Sequence, residues 1–178
     1  GFEVEQQLGP RTTVSAGYQY MRGVSLIASI NQNVPSCVAA GTNNGCRPIS
    51  AYANNSQYSP SASSAYHGLH VSLVERPGRW GAYRVTYTLS KAMDNVGEFF
   101  FSSPVDPFDI NKDWSRSDDD QRHRLVLNGT AHLYGFEVSG LAQYYSSLPF
   151  NITSGVTTIQ GTAGRPLANG AFIDRNTG

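Results

Sequence analysis

The chain has 178 residues with 13 basic and 13 acidic side chains, so its formal net charge is zero. Charged residues make up 15% of the sequence, well below the roughly 25% that is usual in soluble domains. The balanced charge argues against a basic surface for nucleic acid, and no run of about 18 apolar residues is present to form a transmembrane helix. Ten Tyr and 18 Gly instead favour β-strands with polar, uncharged faces.

The first segments have the two-residue period of β-strands. Residues 2–8 read as the end of a strand, and Gly9-Pro10 supplies a tight turn. The following segment alternates between an apolar face and a polar face without charge, whereas a soluble sandwich usually places Lys and Glu on its solvent face. The apolar set is Val14, Ala16, Tyr18 and Tyr20, and the polar set is Thr13, Ser15, Gly17 and Gln19.

Residues 23–65 predict a long irregular loop rich in Asn, Ser, Ala and Pro. Its apolar start, SLIASI, is a candidate short strand extension, and NNSQYSPSASS has a disorder-like composition. Cys37 and Cys46 both lie in this loop. We predict a local disulfide between them, because exposed paired cysteines persist in oxidising compartments. Two free thiols are the alternative, and the absence of a neighbouring His argues against zinc.

Two alternating segments, which begin at Tyr66 and Tyr83, are joined by a short turn over 76–81 and predict a hairpin. Leu69, Val71 and Leu73 share one face of the first strand. Trp80 beside the turn and nearby Tyr83 fit an aromatic girdle at a membrane interface. An ordinary hairpin with a packed Trp is the alternative.

A second long loop is predicted over 91–121. Phe99–Phe101 either anchor this loop in a small core of its own or offer an apolar contact surface. The acidic stretch 109–120 resembles part of a calcium loop, but Trp114 stands where such a loop needs Gly, and Asp120 replaces the bidentate Glu. The alternatives are a solvated acidic rim or Asp–Arg pairs among Asp118, Asp119, Asp120, Arg116, Arg122 and Arg124.

A further hairpin is predicted over 122–147 with its turn at Tyr134-Gly135. Its first strand has one apolar face, whereas both faces of its second strand are mixed. A third loop follows over 148–170, and residues 171–173 begin one more candidate strand. The four His are not spaced as a metal cluster, and His67 and His70, three apart, fall on opposite faces of a strand. We predict no enzyme: no catalytic residues, no cofactor and no metal site.

The connections alternate between short and long along the whole chain, which is typical of meander barrels in outer membranes. We therefore predict an all-β fold for residues 1–178: an antiparallel up-and-down transmembrane β-barrel segment of about six to seven strands from a larger barrel, with short turns on one side and long loops on the other. The polar faces would line the lumen. Their predicted members are Thr13, Ser15, Gln19, Thr86, Thr88, Ser90, Asn128 and Thr130.

Three stretches carry a family resemblance. Residues 117–130, SDDDQRHRLVLNGT, resemble the S-D-x-D-x-R-H-R motif at the start of a barrel strand in TonB-dependent outer-membrane receptors. Residues 66–95 are similar to that family's Y-x-x-L-x-x-x-x-x-R and Y-T-x-S-K-x-x-D hairpin, and SLPFNITSG to its S-G-x-P-F strand end, with Ser147 in place of Gly. The likeness is greatest to the Oar-like branch with a carboxypeptidase regulatory domain.

The resemblance implies a barrel of about 22 strands, a plug domain inside it, and energy from TonB. This chain would be a fragment from the C-terminal part of the barrel, in the outer membrane of a Gram-negative bacterium. Its expected partners are outer-membrane lipid, the plug and remaining strands of the same protein, and the TonB system, with no nucleic acid. The function implied is uptake of a large or scarce substrate. The alternatives are a non-energised porin or adhesin barrel and a soluble carbohydrate-binding module.

Overall fold

A computed structural model describes residues 1–36, 44–97, 104–154, 167–169 and 171–176. The regular secondary structure is almost entirely β-strand. The strands are β1 (Phe2–Gln7), β2 (Thr12–Asn31), β3 (Ser56–Gly78), β4 (Gly81–Asp94), β5 (Ser115–Arg116), β6 (His123–Leu133), β7 (Phe136–Tyr145), β8 (Leu167–Ala168) and β9 (Ala171–Phe172). Short 3-10 helices span Asn44–Cys46 and Ile110–Asp113. Within the described residues, no helix is long and apolar enough to cross a membrane.

One seven-stranded sheet has the order β1-β2-β3-β4-β6-β7, with β5 paired to β4. Apart from the two-residue β5, each strand lies beside its neighbour in the chain, which is the up-and-down arrangement. The recorded pairings are antiparallel. This confirms the predicted all-β, antiparallel up-and-down fold. Strands β8 and β9 form a separate two-stranded sheet, so the candidate strand at 171–173 is present but pairs locally.

The chain divides into two compact units. The first comprises Gly1–Met21, Tyr66–Lys91 and Asp120–Leu148, and the second comprises Arg22–Ala65, Ala92–Asp119 and Pro149–Gly178. The short connections belong to the first unit and the long connections to the second. The predicted alternation of short turns and long loops is therefore also a division between two packing units.

The short turns have the backbone geometry that tight hairpins require. At the β6–β7 turn, Tyr134 has φ 49° and Gly135 has φ 87°, and two successive positive φ values are the mark of a type I′ hairpin. At the β3–β4 turn, Gly81 has φ 125°, and an added Cβ there would overlap the Thr130 carbonyl oxygen. Both turns need glycine for a backbone reason.

The predicted irregular segment over 23–65 is shorter than expected, because β3 already begins at Ser56. At its start β2 continues to Asn31, which confirms the candidate strand extension at SLIASI. These extensions pack in the second unit, where Ala28, Ile30 and Ala62 form a buried cluster. In the 56–65 extension, small residues such as Ala and Ser carry little polarity contrast, so the period-two signal is weak. Strand pairing and burial decide the conformation instead of local propensity.

Strand lengths agree only in part with the roughly 9–11 residues that a tilted crossing of the hydrocarbon layer requires. β6 has 11 residues and β7 has 10, whereas β2 has 20, β3 has 23 and β4 has 14. The second predicted loop is also partly ordered, since it contains a 3-10 turn and β5.

Gly135→Ala tests the turn against a matched control. A Cβ at Gly135 or at Gly140 would meet no atom within 4 Å, but only Gly135 has a positive φ. We expect Gly135→Ala to lower the free energy of unfolding by about 1 kcal/mol, because an L-residue is disfavoured in this region. Gly140→Ala should be neutral or slightly stabilising. Urea unfolding of the detergent-folded protein measures both, and equal midpoints would contradict the turn assignment.

Candidate functional site: the two faces of the sheet

The first unit exposes one continuous apolar face of the sheet. The antiparallel register aligns the apolar positions of neighbouring strands on this face. Val4 is 63% exposed, Leu127 38% and Tyr144 66%. Soluble monomers rarely expose contiguous apolar patches above a few hundred Å². The register also places Gln6 on this face, opposite Val14. The apolar members are Phe2, Val4, Val14, Ala16, Tyr18, Leu69, Val71, Leu73, Tyr83, Val85, Tyr87, Leu125, Leu127, Val138, Ala142 and Tyr144.

The opposite face is polar, as the sequence predicted. Hydrogen-bonded hydroxyl pairs on neighbouring strands show which residues lie on this face. The side-chain oxygens of Ser72 and Thr86 lie 3.3 Å apart, and those of Thr130 and Ser139 lie 2.8 Å apart. The register places Asn128 opposite Arg84. The predicted lumen residues of β2, β4 and β6 that lie opposite a residue of a neighbouring strand are all on this face. They are Thr13, Ser15, Thr86, Thr88, Asn128 and Thr130.

Sequence reasoning overlooked the charges on this polar face. Glu3 lies opposite Gly17, and its carboxylate is 3.6 Å from the His70 ring. Near the β6–β7 turn, His132 and Glu137 lie 3.7 Å apart. Glu3 and Glu137 each lie beside a histidine. Arg84, by contrast, has no acidic partner in the described part of the chain. Alternation along the segment that begins at Tyr83 indicates the face of Arg84, but residues 2–8 and the mixed second strand of the last hairpin gave no face for Glu3 or Glu137. The charges of these residues were not used as a signal.

Strand β7 was ambiguous in the sequence, and its pairing with β6 resolves it. Val138 lies opposite Ala131 and Tyr144 opposite Leu125, so the apolar face continues across β7. The polar face receives Glu137, Ser139 and Gln143, together with Leu141 and Tyr145. The last two residues caused the ambiguity, because they are apolar or aromatic positions on a polar face.

Tyrosine–histidine pairs occur on the apolar face, toward the strand ends remote from the short turns. The Tyr18 hydroxyl lies 2.6 Å from His67 Nδ1, and the Tyr87 hydroxyl lies 2.8 Å from His123 Nδ1. Because His67 contacts Tyr18 whereas His70 contacts Glu3, the prediction that these two His lie on opposite faces is confirmed. Rings with one polar tip suit the boundary between an apolar layer and water.

Aromatic side chains also surround the short turns of the first unit. Trp80 is 72% exposed, Tyr134 fully exposed and Phe136 75% exposed. The Arg79 guanidinium lies 5.1 Å from the centre of the Trp80 ring. This placement rules out the alternative of a packed Trp and agrees with the predicted girdle, which Tyr83, 48% exposed, extends along β4.

The second unit is held together around a buried asparagine. Asn33 is 1% exposed, and its Nδ2 group donates to the carbonyls of Ile49, Tyr52 and Ala53 at 2.8–2.9 Å. Its Oδ1 atom accepts from the Ile49 amide at 2.9 Å. The Asn33 side chain therefore joins one end of the 32–55 connection to the stretch 49–53.

The acidic stretch uses its carboxylates for local structure. Asp109 caps the 3-10 turn by accepting from the Asn111 amide, and Asp113, 6% exposed, accepts from the Val105 amide at 2.8 Å. The Lys112 ammonium, hydrogen-bonded to Asp106, lowers the pKa of that carboxyl. No group of three His, Cys, Asp or Glu residues within the described ranges is placed to hold a metal ion.

A second polar cluster in this unit is centred on Arg175 and Asn176. The Arg175 guanidinium, 6% exposed, forms an ion pair with Asp94, and burial lowers its pKa. The Asn176 Nδ2 group donates to the Arg116 carbonyl at 2.8 Å and to Asp118 at 2.6 Å. The hydrogen bond that the structure shows for Asp118 is therefore to a side-chain amide, and it is not one of the predicted Asp–Arg pairs.

Two predictions for the long connections concern residues outside those described. Phe99–Phe101 are not described, so their role stays a prediction. The same holds for the Cys37–Cys46 disulfide, because Cys37 is not described. Cys46 is described, and its carbonyl accepts from the Ser36 amide at 2.8 Å, so the residue next to Cys37 lies beside Cys46.

Asn33→Asp tests the closure of the 32–55 connection. The substitution keeps the acceptor for the Ile49 amide but sets a carboxylate against three carbonyl oxygens. We expect a loss of about 3 kcal/mol or more of local stability, because the two N–H donors that serve these three carbonyls are replaced by a charged oxygen that can only accept. Hydrogen exchange of residues 47–55 measures it.

Asn54→Asp is the control, because Asn54 Oδ1 only accepts from Asn31 Nδ2 and a carboxylate keeps that bond. Equal exchange in the two variants would show that Asn33 does not close the loop.

Comparison with known proteins gives one family match. A family model described as "Outer membrane beta barrel domain" matches residues 1–177. No curated protein matches the chain, and no solved structure matches it. The match covers both units and every strand of the sheet.

Proposed function

Because the chain belongs to the outer membrane beta barrel domain family, we propose that this outer-membrane protein is a TonB-dependent receptor, and that the chain forms part of its barrel wall. The substrate would be too large or too scarce for passive pores. The long connections would capture it on the outside, and a plug would gate its passage through the lumen.

The observation that carries the membrane-wall assignment is the pair of contrasting faces on one hydrogen-bonded ladder. Leu127 and Asn128 are consecutive, and both are substantially exposed, yet one belongs to the apolar face and the other to the polar face. In water the apolar face would be unfavourable over this width. In a bilayer the same face contacts lipid while the polar face borders an aqueous lumen.

The receptor assignment is supported by contacts between the stretches that resemble TonB-dependent receptors. In the first unit, the Ser90 hydroxyl donates to the Gln121 carbonyl at 2.9 Å. In the second unit, the Ser117 amide donates to the Ala92 carbonyl at 3.0 Å. The S-K-x-x-D and S-D-x-D-x-R-H-R stretches are thus neighbours, which gives them a shared structural role where β4 meets the approach to β6.

Leu127→Arg and Asn128→Arg form a matched test of the membrane wall. Arginine at Leu127 would enter the hydrocarbon layer, at a cost of about 2–4 kcal/mol near the midplane, whereas arginine at Asn128 would enter the lumen. We expect Leu127→Arg alone to reduce assembled protein in the outer membrane, measured by heat-modifiable migration after urea extraction. Equal assembly of both variants would place the Leu127 face in water.

Channel conductance and TonB binding separate the receptor from its alternatives. The protein, extracted from the outer membrane in which it is made, should form no steady open channel in planar bilayers, because a plug closes a receptor. It should bind the purified periplasmic domain of TonB. A steadily conducting protein would be a porin, and a closed protein without TonB binding would fit the adhesin alternative.

A further inference from the structure

Among the residues that the structure describes, two arginines on the polar face of the first unit have no acidic partner. Arg84 in β4 and Arg124 in β6 are both exposed, and no carboxylate among the described residues lies within ion-pair distance of either. A guanidinium is always charged and presents donors that match carboxylate or sulfate groups in pairs. Their charge therefore remains available to a ligand.

The two charges are set apart along the strands. Arg84 lies opposite Asn128, and Arg124 lies opposite Thr88. The positions 84 and 88 are four residues apart on β4, which is about 13 Å of extended strand. Thr86 lies between them on the same face. A ligand that meets both charges must be elongated and must tolerate hydroxyl groups between its anionic groups.

The Arg124 end of this surface is already positioned by its neighbours. The Arg124 guanidinium lies 5.0 Å from the centre of the Tyr145 ring, and a cation held over an aromatic face loses less freedom on binding. The Tyr145 hydroxyl donates to Gln143 Oε1 at 2.6 Å. Since that bond uses the oxygen of the Gln143 amide, its NH₂ group can donate to a ligand oxygen.

The acidic groups of the polar face lie elsewhere. Glu3 and Glu5 belong to β1, and three strand steps separate β1 from β4 in the sheet order. Glu3 has His70 beside it, and Glu137, at the short-turn end, has His132. The surface over β4, β6 and β7 is therefore locally basic, although the chain is neutral.

We propose that this surface, defined by Arg84, Thr86, Thr88, Arg124, Asn128, Gln143 and Tyr145, binds an acidic oligosaccharide. The two guanidinium groups bind carboxylates of the ligand, and the Thr hydroxyls and the Asn128 and Gln143 amides bind its sugar hydroxyls. The proposal rests on the proposed function, because it takes the polar face to border the transport lumen. It adds a substrate class to that function.

Isothermal titration calorimetry tests the proposal on the protein purified from the outer membrane in detergent, with tetragalacturonate as the acidic probe and maltotetraose as the neutral probe. We expect tetragalacturonate to bind at least tenfold more tightly than maltotetraose. Arg84→Gln and Arg124→Gln should each weaken tetragalacturonate binding about tenfold, since each removes one charge-assisted contact. Heat-modifiable migration verifies that both variants are assembled.

Arg79→Gln is the matched control, because Arg79 lies in the β3–β4 turn over Trp80 and outside the proposed surface. It should leave tetragalacturonate affinity unchanged. Equal affinity for the two sugars, no detectable tetragalacturonate binding, or full affinity in both variants would each overturn the proposal. Weakened binding in the control alone would place the ligand at the turns and overturn it as well.

The ligand proposal and the receptor proposal fail separately. A closed, TonB-binding protein without affinity for tetragalacturonate would overturn the ligand proposal only. A protein that conducts steadily and binds tetragalacturonate through both arginines would overturn the TonB mechanism, while the acidic-sugar surface would stand as part of a selective pore.

Discussion

The antiparallel register of β4, β6 and β7 is the constraint on which the rest of this molecule depends. Val85, Leu127 and Ala142 are aligned in one row, and Thr86, Val126 and Gln143 in the next. A slip of one residue would move every apolar side chain to the polar face. The same ladder pairs the backbone amides and carbonyls internally, which hydrocarbon surroundings require. The same antiparallel register therefore produces both the contrast between the two faces and the internal pairing of the backbone.

The second unit is stabilised in a different way. Its buried apolar cluster is small, with Ala28, Ile30 and Ala62 at its centre, whereas Asn33, Asn95 and Asn176 are among its most buried side chains. A buried amide that satisfies several backbone groups, as Asn33 does, can order a connection with little apolar area. A composition rich in Asn and Ser can therefore form defined structure, although by composition alone it resembles disorder.

The sequence was most informative for strands that have one apolar face and one polar face. Alternation along 13–20 and 83–90 was enough to assign faces, because polarity changes from each residue to the next. It was least informative at 56–65, where small residues carry little contrast and strand pairing alone keeps the chain extended. The faces of β7 required its partner strand, since Leu141 and Tyr145 break the pattern and only the register with β6 orients them.

Those two departures from alternation are themselves meaningful. Leu141 lies opposite Asn128 and Tyr145 opposite Arg124, so both exceptions occur beside residues of the proposed sugar-binding surface. Where a sequence departs from the pattern that specifies its fold, function is the usual reason. An aromatic ring on a polar face gains little from burial, since Tyr145 remains partly exposed. Under Arg124 it instead holds a cation in place, and an exposed cation without an acidic partner is of use mainly to a ligand.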